Sequence, residues 1–108
     1  MALNVEPAEA TFPASGGLCS FAIVNNTEAR HAFKIKTSNN TNYRVNPVFG
    51  FVEPKAKCQL TIQRTDGPPK EDKLVVQWAE VPAEEQDAKA PFAAGAQAGE
   101  VVLPLKAA

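Results

Sequence analysis

No part of this 108-residue chain carries an apolar pattern long enough, at helical period, to make a helix of ordinary length. It carries short alternating pieces instead, each stopped within a few residues by proline, glycine or asparagine. The most informative begins at Phe33. Phe33, Ile35 and Thr37 fall on one face of an extended strand, and Lys34 and Lys36 on the other. A polar run from Ser38 to Asn42 then breaks the pattern, because Asn and Ser bond to nearby backbone and favour turns. A second extended piece, Tyr43 to Val45, is stopped by Pro47, and Gly50-Phe51-Val52-Glu53-Pro54 reads as a bend.

The remaining strands follow the same rule. Leu3 to Pro7 reads as an edge strand, since proline is tolerated where no ladder donor is needed. Ala10 to Pro13 is a brief extended piece, and Leu18 to Val24 alternates with Cys19, Phe21 and Ile23 sharing a face. From Lys55 onward, Cys58, Leu60 and Ile62 point inward against Gln59, Thr61 and Gln63. Lys73 to Val81 places Leu74, Val76 and Trp78 inward and Lys73, Val75 and Gln77 outward, and Glu100 to Leu105 forms a last strand. Between them, 82–99 is expected to be a mobile loop, with at most one helical turn over Glu84 to Lys89. Sequences that this chain resembles commonly use cis proline, which implies at least one cis X-Pro bond, foremost before Pro13 or Pro54.

About seven short strands with Gly/Pro/Asn turns predict an all-β sandwich, its two inner faces packed together. The length fits one domain over residues 1–108, able to bury roughly 60–65% of its unfolded surface. Eleven basic and twelve acidic residues give a net charge of -1, which offers no general attraction to nucleic acid. No apolar run approaches the about 18 residues that span a bilayer, and the N-terminus lacks a signal-peptide pattern. A cytoplasmic location is expected. Asn25-Asn26-Thr27 and Asn39-Asn40-Thr41 then read as turns and not as glycosylation sites, and Cys19 and Cys58 as buried free thiols.

The residues for catalysis are missing. His31 is the single histidine, has no nucleophile motif beside it, and reads as a partly buried, hydrogen-bonded structural residue. One His and two distant Cys cannot make a tetrahedral metal set, and Gly16-Gly17 lacks the context of a phosphate loop. Neither a cofactor nor an enzyme activity is expected. Binding is the better reading. In an immunoglobulin-like topology the strands 30–37 and 73–81 are neighbours in one sheet. Their outward residues then form a single patch, Lys34, Lys36 and Lys73 around Val75, suited to an acidic peptide with an aromatic or aliphatic anchor.

Val24-Asn25-Asn26-Thr27, Lys34-Ile35-Lys36-Thr37, Val45-Asn46-Pro47, Gly50-Phe51-Val52-Glu53-Pro54-Lys55 and Val75-Val76-Gln77-Trp78 also carry a resemblance. Their order and spacing resemble the major sperm protein (MSP) domain over about residues 3 to 105. The resemblance implies an immunoglobulin-like seven-stranded β-sandwich, and the short chain is most similar to the small nematode sperm-specific branch. It implies protein–protein binding in sperm cytoskeletal or motility assemblies. In the VAMP-associated branch, the equivalent Lys-x-Lys-Thr element and later lysine strand bind acidic, Phe-containing peptides. Lys34, Lys36, Thr37 and Lys73 match that pattern. Val75 stands where that branch usually has methionine, and Asn40-Thr41-Asn42 replaces a more basic loop, so weaker or altered binding is implied. The cytoskeletal branch implies self-association into filaments, but Ala93 to Gly99 departs from the more charged and aromatic segment of the filament formers.

Overall fold

The computed structural model describes residues 2–108. In chain order its elements are β1 (Leu3–Glu6), β2 (Ala10–Phe12), β3 (Gly17–Asn25), β4 (His31–Thr37), β5 (Tyr43–Asn46), β6 (Phe49–Val52), β7 (Lys57–Arg64), β8 (Glu71–Glu80), α1 (Ala90–Ala93) and β9 (Gly99–Ala107). One sheet has the order β1-β3-β7-β5 and the other β2-β9-β8-β4-β6. All neighbours are antiparallel except β2 and β9.

There are nine strands among the described residues, two more than the alternation predicts, because the chain changes sheet at two places. β1 in the first sheet is followed, after bends at Pro7 to Glu9, by β2 in the second, and β5 in the first is followed, after Pro47 and Val48, by β6 in the second. Proline carries no ladder donor, which suits a point where a strand lets go of one sheet before joining the other. The cis peptide bonds precede these two prolines, Glu6-Pro7 and Asn46-Pro47, and not Pro13 or Pro54. The stretch read as a bend from Gly50 is therefore largely strand, with Phe49 to Val52 pairing against β4.

Alternation builds the core. Leu3, Val5, Phe21, Ile23, Leu60 and Ile62 face it from one sheet; Phe33, Ile35, Leu74, Val76, Trp78, Leu103 and Leu105 face it from the other. Each such side chain contributes roughly 1.5–3 kcal/mol when fully removed from water. Two glycines make room for the largest rings. Gly50 pairs with Phe33 and Gly99 with Trp78. A Cβ on Gly50 would lie 2.6 Å from Phe33 Cζ, and one on Gly99 2.8 Å from Trp78 Cζ2.

Cys19 and Cys58 are free thiols on the inward side of β3 and β7, half-buried and not fully buried as their parity predicts, because they lie toward the strand ends. Cys58 pairs with Ile23, four residues along β3 from Cys19. That offset is roughly 13 Å of strand, far beyond the reach of a disulfide. Among the described residues, four polar ones are buried: Asn25, His31, Asn39 and Arg64. Asn25 donates to the carbonyls of Ala29, Val52 and Glu53 and accepts from Thr27 N and Oγ1, so the first sequon is an internal turn clamp. His31 Nδ1 lies 3.0 Å from Ala29 O, the structural role its parity predicts.

The 82–99 segment is tied down more firmly than its composition suggests. Val81 N donates to Arg30 O, and Ala98 N to Trp78 O at 2.8 Å. Arg30 Nη1 donates to Pro82 O at 2.9 Å and Glu85 O at 2.8 Å, while its Nε meets Glu53 at 2.9 Å and its guanidinium lies over Phe51. The helical turn falls at Ala90 to Ala93 and not over 84–89, with Pro91 in the first turn, where its missing N–H leaves no bond unmade.

Candidate functional site

β4 and β8 are adjacent and antiparallel, with Lys36 opposite Val75 and Lys34 opposite Gln77. Lys73, two residues before Val75, is the diagonal neighbour of Lys36 on the same outward face, with about 7–8 Å expected between such positions. The strands thus bring together Lys34, Lys36, Lys73 and Val75. Thr37 does not join them. It pairs with the buried Leu74, so its parity is inward, and its hydroxyl accepts a hydrogen bond from Asn39 N at 3.2 Å.

The electrostatics leave this face positive. None of the ion pairs among the described residues involves Lys34, Lys36 or Lys73. Lys34 is half-buried, its ammonium 5.7 Å from the centre of the Phe49 ring, which also has Lys89 at 5.5 Å and Phe92 at 6.1 Å. Lys36 and Lys73 are exposed. Val75 is half-buried between them. The site is an open sheet face: no pocket is present among the described residues. Nor do three His, Cys, Asp or Glu side chains among them converge on a metal-sized site.

A polar network that the sequence did not reveal fixes the two strand ends. Asp72, whose side chain is only 3% exposed, accepts from Ser38 Oγ at 3.2 Å and Asn39 Nδ2 at 3.1 Å, with Lys70 Nζ 3.7 Å away. Ser38 N donates to Lys73 O and Lys73 N to Ser38 Oγ, both at 3.0 Å. Asn39 Oδ1 in turn accepts from Thr41 N and Asn42 N. This clamp joins the end of β4 to the start of β8 beside Lys36 and Lys73, so the spacing of those lysines is set by backbone. The available signal was the Asx-turn character of Asn39. Its distant partner Asp72 had none.

Comparison with known proteins places this geometry in a family. The MSP (Major sperm protein) domain model matches residues 2–101. Sperm-specific class P protein 31 of Caenorhabditis elegans is 57% identical, over 97% of this chain and 98% of its own length. Among solved structures, WR4, a C. elegans MSP family member, superposes with a TM-score of 0.97 at 54% identity, covering 99% of this chain and 98% of the other. SSP-19, an MSP-domain protein like family member in C. elegans, gives a TM-score of 0.93 at 48% identity, covering 97% and 98%. The chain belongs to the MSP domain family, in its nematode sperm-related, non-enzymatic group, and its fold is the immunoglobulin-like sandwich of that family. No helix among the described residues is long and apolar enough to cross a membrane.

Proposed function

We propose that the chain acts as one cytoplasmic protein–protein interaction module in sperm cytoskeletal or motility assemblies. Its working surface is the outward face of β4 and β8, which takes a short acidic segment anchored by an aromatic or aliphatic side chain. The observation that carries this reading is the juxtaposition of Lys34, Lys36 and Lys73 around Val75, with none of the three in an ion pair among the described residues. Unpaired ammonium groups beside an apolar spot favour a negative partner through both steering and contact. Thr37 serves the same surface indirectly, by holding the Asn39 turn.

Titration with an acidic, Phe-containing peptide tests the proposal. Lys36→Asp and Lys73→Asp are each expected to weaken binding by about tenfold or more, since a like charge is placed against the partner. Equal affinity in parent and charge-reversed forms would end the proposal.

A further inference from the structure

We propose that Asp66 is a site of spontaneous isomerisation to isoaspartate, that Asn42 holds the reaction in check, and that conversion loosens the clamp beside Lys36 and Lys73. Asp66–Gly67 is the one place in the chain where an Asp or Asn precedes glycine. Such a pair cyclises most readily, because glycine has no side chain to keep the aspartate carboxyl from its backbone nitrogen. Gly67 N attacks Asp66 Cγ, a C–N bond forms, and the carboxyl hydroxyl departs with the amide proton as water. Water then adds to either carbonyl of the cyclic imide. Opening at Cγ restores aspartate. Opening at the former backbone carbon leaves that carbon as a free carboxylate and routes the chain through Cβ and Cγ. The mass is unchanged, and the backbone is longer by a methylene.

Asp66 lies exposed in the loop between β7 and β8. Its peptide bond to Gly67 is gripped at both polar atoms: Asp66 O accepts from Asn42 Nδ2 at 3.2 Å, and Gly67 N donates to Ala14 O at 3.1 Å. The flanking residues are fastened too, with Thr65 N donating to Asn42 O at 2.7 Å and Arg64 Nη2 to Pro68 O at 2.8 Å. A peptide plane held in this way cannot turn its nitrogen onto the neighbouring carboxyl, so cyclisation waits for a local opening. Glycine is needed here nonetheless, since a Cβ would lie 2.5 Å from Asn42 Nδ2 and push it off Asp66 O. The loop therefore carries both a labile pair and its guard. Asn42 is also the link to the lysines. Its Oδ1 accepts from Asn39 Nδ2 at 3.1 Å, the same nitrogen that donates to Asp72. Isomerisation takes the carbonyl that Asn42 holds out of the main chain, and the loss passes through Asn39 to the joined ends of β4 and β8.

The test is prolonged incubation of parent, Asn42→Ala and Asn42→Asp chains in warm, weakly acidic buffer, beside a free peptide of residues 65–70, with isoaspartate counted by peptide mapping. Asn42→Asp keeps the acceptor for Asn39 and removes the donor to Asp66 O. Isoaspartate is expected to form in the folded parent about tenfold or more slowly than in the free peptide. Each Asn42 variant should convert roughly threefold to tenfold faster than the parent, the worth of one lost hydrogen bond, with melting temperatures confirming that both fold. A parent that converts as fast as the free peptide would show that the loop has no guard. Folded Asn42 variants that convert at the parent's rate would take that role from Asn42. Either result overturns the proposal. Converted parent, separated from fresh protein, is expected to exchange its amides faster across 38–42, with β3 unaltered. Equal exchange across 38–42 in the two forms would sever the loop from the clamp and overturn the proposal at that link.

Discussion

Phe33 and Trp78 show how far single residues can be read. Their parity identifies them as core, but nothing in the sequence assigns Gly50 and Gly99 to stand opposite their rings. The pairing of glycine with aromatic depends on register, which is set by contacts far apart in the chain. The expected effect of Gly50→Ala follows from the 2.6 Å approach of its Cβ to Phe33 Cζ. Because Phe33 is fully enclosed, the ring has nowhere to go, and overpacking of this kind costs about 1–3 kcal/mol. Urea unfolding would measure it; an unchanged midpoint would mean that the two sheets can yield at this point. For the candidate site, the alternation was enough: it placed Lys34, Lys36, Lys73 and Val75 on one face, and the register of β4 and β8 sets them side by side.

Among the elements, the long strands β4, β7 and β8 were legible from period-two patterning, and the sheet-changing segments were not. β6 contains a glycine and ends beside Pro54, so it has the local chemistry of a bend; its pairing with β4 overrides that preference. The 82–98 segment failed for a related reason. With no apolar stripe it reads as loose, yet Arg30, more than fifty residues away, holds its first turn through two carbonyls. Arg30→Ala is expected to raise amide hydrogen exchange through residues 83–98 while leaving β7 and β9 protected, because only the local opening becomes easier. Unaltered exchange there would show that the Phe49–Phe92 contact alone suffices to hold the segment.

For the whole molecule, the alkaline limit of stability depends in part on Cys58, whose thiol is pushed above its usual value of 9.0 by burial. Its folded pKa exceeds the unfolded one, so this contribution is fully present below the unfolded value. It is lost as pH rises through the folded pKa. A fall in stability is expected above about pH 9 in denaturant titrations, Cys58→Ala should flatten it, and an identical pH profile would exclude the thiol as its source. The crossing of β1/β2 and of β5/β6 from one sheet to the other has a mechanical consequence. Because the same backbone runs through both layers at two places, neither layer can peel away without tearing pairings out of its partner. Trp78 fluorescence, which reports on the five-stranded layer, and far-ultraviolet dichroism, which reports on both, should therefore trace one superimposable melting curve. The sandwich behaves like stitched cloth: it holds as a piece and comes apart as a piece.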